Sequence, residues 1–163
     1  MLDEKRPDSA NAVPSMSTLS DLYKSDFHAW TQRAAALVRE HKLDELNLDD
    51  LAEELDSMGA KERRELMNRL DILLAHLLKW EHQPDHRTSS WDGTIREQRR
   101  QIAREIKLSP SLKPFLPEAL AEVYPDAVER AGYETGLAEH LFPRGCPYSL
   151  EQILDKTFYP GEN

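Results

Sequence analysis

Cysteine is almost absent from the sequence, and long apolar runs are missing altogether. Cys146 is the one cysteine in 163 residues, so neither an intramolecular disulfide nor a zinc or iron–sulfur site built from several cysteines can form. No segment reaches the roughly 18 consecutive apolar residues typical of a membrane span, and the N-terminal residues lack the apolar stretch of a signal peptide. These absences predict a protein of a reducing compartment, located in the cytoplasm and without a membrane partner.

Alternating strand patterns are missing as well, whereas apolar residues recur at spacings of three and four. The longest such pattern, Ala60–Glu81, carries leucines over an arc of about 160°, which is wider than a surface helix needs. Ahead of it, Asn47 is a favoured N-cap residue, and Gly59 predicts a helix end or a kink. The sequence therefore predicts an all-α fold: a single-domain helical bundle of about five or six helices, with Ala60–Glu81 as its long central helix.

Residues 1–20 differ from the rest of the chain in composition. They contain Pro7 and Pro14 and few sizeable apolar groups, so burial cannot offset the entropy that they would lose on ordering. This composition predicts a flexible N-terminal tail at residues 1–20 and a helical domain at residues 21–163.

A series of short motifs runs through the predicted helical domain and is specific as a set. They are Asp26-Phe27 with Trp30, Leu51-Ala52-Glu53-Glu54, Ser57-Met58-Gly59, His76-Leu77-Leu78-Lys79-Trp80, Gln83-Pro84, Ser90-Trp91, Thr94-Ile95, Gln98-Arg99, Ser109-Pro110-Ser111-Leu112, Glu134-Thr135, Cys146-Pro147-Tyr148 and Phe158-Tyr159-Pro160. In this set the chain resembles the bacterial family catalogued as domain of unknown function 29, over about Tyr23 to Pro160. Asp50 departs from the family pattern, which favours asparagine there. The resemblance implies an all-helical fold and brings no established activity, so it assigns no catalytic residue.

His76 is the most informative single residue, because it lies at the edge of the apolar arc of the predicted central helix. A histidine in that place is partly desolvated and needs a hydrogen-bond partner. Glu54 could supply one if the preceding helix packs antiparallel, and Arg99, next to the stripe of Ile95 and Ile102, could pair with the same carboxylate. We interpret Glu54, His76 and Arg99 as a candidate buried polar cluster, in which the Glu54–His76 contact fixes helix register. A general base pair and a pair of metal ligands are the alternatives for Glu54 and His76.

Other residues with ligating or catalytic chemistry are weaker candidates. His82 and His86 have the spacing of two metal ligands on one helix, but Pro84 breaks the helix between them. Cys146 lies in a turn-prone stretch, where a half-buried structural cysteine is favoured over a catalytic thiol. We therefore predict no catalytic residue, no metal and no cofactor.

The charge of the chain is negative overall and unevenly distributed. Lysine and arginine total 21 against 30 aspartates and glutamates, which gives a net charge of −9. Between Arg39 and Met58, two basic residues face eight acidic ones. The helix predicted after Trp91 instead carries its basic residues within an arc of about 140°. This arginine stripe consists of Arg96, Arg99, Arg100, Arg104 and Lys107.

The exposed members of the arginine stripe are candidate nucleic-acid contacts, namely Arg96, Arg100, Arg104 and Lys107. The net charge disfavours steering toward a polyanion, and pairing with the chain's own carboxylates is favoured instead. The function that we favour is a non-enzymatic interaction module, whose partner is another protein or a second copy of the chain. Nucleic-acid binding through the stripe and an enzyme centred on Glu54 and His76 stay open as alternatives.

Overall fold

The computed structural model describes residues 18–162, which contain six α-helices and, within that range, no β-strand. The helices are α1 (Leu19–Ser25), α2 (Phe27–Arg39), α3 (Leu48–His82), α4 (Ser89–Leu108), α5 (Leu116–Thr135) and α6 (Leu150–Leu154). Short 3-10 helices lie at Leu43–Glu45, Pro84–His86, Pro110–Phe115 and Glu139–Leu141. The predictions of an all-α fold, of about five or six helices and of one long helix are confirmed.

Helix α1 begins directly after Thr18, inside the range 1–20 that the composition predicts as a tail. Residues 1–17 lie outside the described residues. Thr18 caps α1 by accepting a hydrogen bond from the Asp21 amide, and the Asp21 side chain accepts one from the Thr18 amide in return. This capping box satisfies two free amides of the first turn, so Leu19 and Ser20, which the sequence placed in the tail, begin a helix instead.

The two helices predicted on either side of Gly59 are one helix of 35 residues, α3. Gly59 does not adopt the left-handed conformation of a helix C-cap, which among the described glycines is found at Gly136 and Gly161. A glycine inside a helix costs only about 1 kcal/mol relative to alanine. Apolar periodicity on both sides outweighs that cost, and the helix continues. Asn47 does cap α3, as expected, because its side-chain oxygen accepts from the Asp49 amide at 3.0 Å.

The described residues form two compact units, one ending at Ser57 and the other beginning at Met58. The first unit has a small core of Trp30, Ala34, Leu37 and Leu46, against which Tyr23 and Leu51 pack. Aromatic contacts extend this core, since the Tyr23 ring lies 4.9 Å and the Phe27 ring 5.5 Å from the Trp30 ring, centroid to centroid.

The second unit has the larger core, built around the second half of α3. Six leucines of α3 are fully buried and form one cluster with residues of α4, α5 and α6. They are Leu66, Leu70, Leu73, Leu74, Leu77 and Leu78. Ile95, Ala127 and Ile153 are fully buried members of the same core, one from each of the three shorter helices. Within this unit, the second half of α3 therefore has the central place that the leucine arc predicts.

Candidate functional site

Lys79, on α3, is the most deeply buried lysine among the described residues. Its exposed fraction is 5%. Two neighbouring groups compensate its positive charge. The ammonium Nζ lies 2.6 Å from Oε2 of Glu134 on α5, and it lies 4.5 Å from the ring centroid of Trp91 on α4. A buried charge is tolerated when it is paired, and an indole face adds cation–π attraction. Lys79 thus ties three helices together through one charged group.

His76 lies one turn before Lys79 and is half-buried. Its Nδ1 is 2.8 Å from the carbonyl oxygen of Ile72. A carbonyl only accepts, so Nδ1 carries the hydrogen and Nε2 is the acceptor of the neutral ring. Burial lowers the pKa of His76, and the nearby positive charge of Lys79 acts in the same direction. The ring is therefore held in its neutral form more strongly than an exposed histidine.

Glu54 has a different partner from the one that the sequence suggested. The Tyr23 hydroxyl donates to Oε1 of Glu54 at 2.7 Å and lies 3.3 Å from Oε2 of Glu53. The hydrogen bond to Glu54 raises the pKa of Tyr23. Glu54 and His76 both lie on α3, 22 residues and about six turns apart, so they cannot hydrogen-bond to each other. The structure does not bring them together as an acid–base pair.

Arg99 is buried, with an exposed fraction of 3%, and it binds backbone carbonyls rather than a carboxylate. Its Nε donates to the carbonyl of Ile153 at 2.8 Å, and its Nη2 donates to the carbonyl of Phe158 at 2.8 Å. Burial lowers the pKa of Arg99. The guanidinium joins the C-terminal end of α6 to the segment that follows it. Each member of the candidate cluster therefore has its own set of partners.

Two of the five members of the arginine stripe, Arg96 and Arg100, are paired within α4. Arg96 Nε lies 2.8 Å from Oδ2 of Asp92, and Arg100 Nη2 lies 2.8 Å from Oε2 of Glu97. Arg104 and Lys107 are exposed. Intrahelical pairs at these spacings contribute only a few tenths of a kcal/mol each, but they reduce the positive charge available to a phosphate. A nucleic-acid contact through this stripe stays a prediction.

The other candidate ligands have structural contacts. His82 Nδ1 lies 3.0 Å from the Leu78 carbonyl, and its ring packs on Phe142. Burial raises the pKa of the Cys146 thiol, which lies 3.4 Å from the carbonyl of Tyr148. Within residues 18–162, no group of three or more His, Cys, Asp or Glu side chains is placed to hold one metal ion. No helix in that range has both the length and the apolar character to cross a membrane.

A cavity of about 800 Å³ lies beside α5 in the second unit, and sequence reasoning missed it. Its wall includes Asp71, Asp126, Glu129, Arg130, Tyr133 and Glu139. The acidic residues of α5 recur at helical spacing, which is a signal that the sequence contains. Asp71 comes from α3, 59 residues before Arg130, and only the tertiary structure places it there. Five carboxylates and one guanidinium line this space when Glu134 is included, so its wall is acidic.

An exposed apolar face lies on the first part of α3. Leu48, Leu55 and Met58 have exposed fractions of 57%, 61% and 65%. Residues 55–59 are all exposed, so this stretch of helix has little contact with the rest of the described chain. Most helices in proteins gain their stability by packing an apolar face, which makes an unpacked apolar face a candidate binding surface.

The family model described as Domain of unknown function DUF29 matches residues 22–159, most of the chain. The chain belongs to this family. The resemblance drawn from the short motifs is thereby confirmed. No curated protein and no solved structure matches the chain significantly. The DUF29 description names no activity.

Residues from several of the short motifs, distant in the sequence, meet in the second unit. Lys79, Trp91 and Glu134 come from three separate motifs and form the buried cation site described above. Next to it, the Gln83 amide donates to the Thr135 carbonyl at 3.3 Å. Residues of these short motifs therefore form contacts between helices of the second unit.

Proposed function

We propose that this protein is a non-enzymatic interaction module that associates with a second copy of itself through the exposed apolar face of α3. The exposure of Leu48, Leu55 and Met58 is the observation that carries the proposal. At about 100° per residue these side chains lie within an arc of about 80°. They form a strip that is interrupted at Leu51, which packs on the core of the first unit. Exposed apolar side chains grouped on one side of a helix are typical of interaction sites.

The spacing of the strip is that of a coiled-coil seam. Leu48, Leu51, Leu55 and Met58 follow the alternating three- and four-residue spacing of the a and d positions of a heptad. Leu51 packs on the core of the first unit, which leaves the other three side chains for a partner. When two such helices align antiparallel about the middle of the strip, Leu55 of one copy faces Met58 of the second.

Charge favours a second copy as the partner. Glu54 and Lys61 occupy the g positions of the same heptad, beside the strip. In the antiparallel alignment each Glu54 faces Lys61 of the other copy, so two-fold symmetry creates the same ion pair twice. Tyr23 donates to Oε1 of Glu54, and Oε2 is left for the second copy.

The alternatives have less support. Arg96 and Arg100 already pair with carboxylates of their own helix, which weakens the case for a nucleic-acid partner. Glu54 and His76 lie too far apart along α3 to act on one substrate atom. The proposal keeps the cytoplasm as the location, because a single cysteine suits a reducing compartment.

The first test measures the oligomeric state of the full chain by native mass spectrometry and by light scattering across a range of concentrations. We expect a dimer for the wild type and a monomer for L55E, because a buried carboxylate without a partner opposes association. L141E is the matched control: Leu141 is 53% exposed, and the next residue, Phe142, contacts His82 at the opposite end of α3 from the strip. A wild-type monomer at the highest soluble concentration contradicts the proposal, as does equal dissociation by L55E and L141E.

A second test asks whether the two helices align as proposed. K61E replaces two attractive contacts with Glu54 by two repulsive ones, so we expect the dimer to dissociate at higher protein concentration than the wild type. K107E makes the same change of net charge on α4 and should leave the dimer unaffected. If K61E and K107E weaken the dimer equally, overall charge and not the antiparallel register controls association.

A further inference from the structure

We infer that residues 55–62 of α3, which we term the bare segment, unfold locally in the monomer and are held in the helix by self-association. The local unfolding follows from the contacts of this segment alone, whereas its closure rests on the proposed function. The middle of α3 is then a conformational switch, and its state depends on whether a second copy is bound.

The bare segment lies between two points at which other parts of the chain hold α3. Before it, the Tyr23 hydroxyl donates to Oε1 of Glu54 at 2.7 Å. After it, the guanidinium carbon of Arg63 lies 4.9 Å from the ring centroid of Phe115. About two turns of helix run between these contacts. The segment can therefore open while the contacts on both sides of it stay in place.

The bare segment buries none of its side chains. No residue of α3 before Leu66 is buried, and within the segment only Ala60 is half-buried. The boundary between the two compact units, after Ser57, falls inside the segment. Among the described residues, the first ion pair along α3 joins Glu65 to Arg69. Helices in proteins gain most of their stability from packing, so local opening here breaks little besides backbone hydrogen bonds.

The sequence of the bare segment also disfavours the helix. It contains Asp56, Ser57 and Gly59. Aspartate and serine side chains compete for backbone hydrogen bonds, and glycine loses more conformational entropy on folding than any other residue. A Cβ at Gly59 would meet no atom within 4 Å, so no close approach of another segment requires glycine there. Low helix propensity and missing packing thus coincide at one place in α3.

Helix α4 has the contacts that the bare segment lacks, although it too has an exposed face. It buries Ile95, Arg99 and Ile102, which follow one another at intervals of about one turn. The exposed Arg100 is paired with a carboxylate of the same helix. Residues 98–105 of α4 are therefore an internal reference for the bare segment, because they are equally long and are held by packing at each turn.

Self-association supplies the packing that the bare segment lacks. Leu55 and Met58 both belong to the segment, and both are covered in the proposed dimer. Their exposed fractions in the single chain are 61% and 65%. These two side chains share one face only while the segment is helical, because their spacing matches the helical period. A second copy therefore binds the helical form better than the open form and shifts the population toward the helix.

The test is hydrogen–deuterium exchange of the full chain, below and above the dimer dissociation constant that light scattering gives. In the dilute monomer, after correction for intrinsic rates, residues 55–62 should exchange on the order of tenfold faster than residues 98–105. At about ten times the dissociation constant, about four fifths of the chains are dimers, so exchange of residues 55–62 should slow about fivefold. Exchange of residues 98–105 should not change.

Two glycine substitutions distinguish local opening from global unfolding. G59A favours the helix inside the bare segment, so it should slow exchange of residues 55–62 in the monomer about two- to fivefold. G93A is the matched control, because Gly93 lies in α4 and an added Cβ there also meets no atom within 4 Å. It should leave exchange of residues 55–62 unchanged. Equal slowing by the two variants would show that these residues exchange by global unfolding and would overturn the inference.

The remaining outcomes distinguish this inference from the proposed function. Equal exchange of residues 55–62 and 98–105 in the monomer overturns the local opening, whatever the oligomeric state. A dimer that leaves the exchange of residues 55–62 unchanged overturns the closure, while the proposed function stands. A chain that stays monomeric at every concentration contradicts the proposed function and overturns the closure with it, and the dilute comparison then decides the local opening alone.

Discussion

The ammonium of Lys79 lies 2.6 Å from a carboxylate oxygen of Glu134, 55 residues later in the chain, and 4.5 Å from the ring centroid of Trp91. One buried cation therefore connects α3, α4 and α5. Removing one member of a buried ion pair costs more than replacing both, because the remaining charge is left without compensation. A single substitution at Lys79 or Glu134 should therefore lower the free energy of unfolding by leaving the other charge without its partner.

E134Q should destabilise the protein by about 1 to 3 kcal/mol. The value is below the range for a fully buried pair, because the Glu134 side chain is 34% exposed. K79M together with E134Q removes the stranded ammonium, so the double variant should recover part of the loss. Urea unfolding gives these free energies, with E122Q as an exposed control on the same helix. A double variant that is less stable than E134Q alone would contradict this account of the pair.

R99K should cost about 2 to 3 kcal/mol, although it keeps the charge. Lysine cannot reach the Ile153 and Phe158 carbonyls at once, because its ammonium is a point charge and not a planar fork. R96K, on the exposed side of the same helix, should change stability by no more than about 0.5 kcal/mol. Thermal or urea unfolding of both variants measures the difference in stability. Similar effects of R99K and R96K would contradict the view that the two hydrogen bonds of Arg99 hold the end of α6 in place.

His76 should make the protein less stable in mild acid. Burial lowers its pKa below the usual 6.5, so between the two values the unfolded chain binds more protons than the folded chain. The free energy of unfolding therefore falls as pH drops through about 6.5, and the loss levels off below the folded pKa.

The measurement for His76 is urea unfolding at about pH 7.5 and about pH 5.5. H76Q should lose less stability than the wild type between these conditions, because glutamine does not titrate and can still donate to the Ile72 carbonyl. The other five histidines are common to both proteins, so their contribution cancels. An identical loss in H76Q would show that other groups cause the acid sensitivity.

G59A should stabilise the protein by about 0.5 to 1 kcal/mol. A methyl group at Gly59 would meet no atom within 4 Å, and alanine favours the helix that already exists there. G136A is the matched control with the opposite expected sign, because Gly136 has a φ of +74° that alanine adopts only with strain. Melting temperatures of the two variants test the pair, and a destabilising G59A would indicate that α3 needs flexibility at this point.

DNA and RNA should form no complex with the protein that persists at raised salt. The net charge is −9, and Arg96 and Arg100 are already paired. Gel-shift titrations at low and raised salt provide the measurement, because phosphate contacts weaken steeply with salt. A salt-resistant complex that is lost in R104Q/K107Q would instead support the nucleic-acid alternative.

Most of the helices follow from local patterns. The three- and four-residue spacing of leucines predicts the second half of α3, and Asn47 predicts the start of that helix, because periodicity and capping act within one or two turns. The same local reasoning predicts a helix end or kink at Gly59, where α3 in fact continues. A glycine signals a possible break, but its cost of about 1 kcal/mol is small against the apolar pattern on both sides. The sequence therefore located the helical segments better than it located their boundaries.

The contact partners of the candidate site residues are less well predicted by local patterns, because most of them come from distant parts of the sequence. Lys79 is one turn after His76 on the same helix, whereas Glu134, which also acts on the pKa of His76, comes from α5. Asp71 meets Arg130 across 59 residues, and no local spacing encodes that contact. Arg99 was expected to need a carboxylate, whereas the folded chain supplies it with carbonyls.

Local backbone preference and apolar spacing were sufficient to determine that the chain is helical. Only the packing of the helices determines which charges lie together. It also determines which leucines stay exposed. Helix formation depends on residues within a turn of one another, while burial of a charge depends on every segment that excludes water from it.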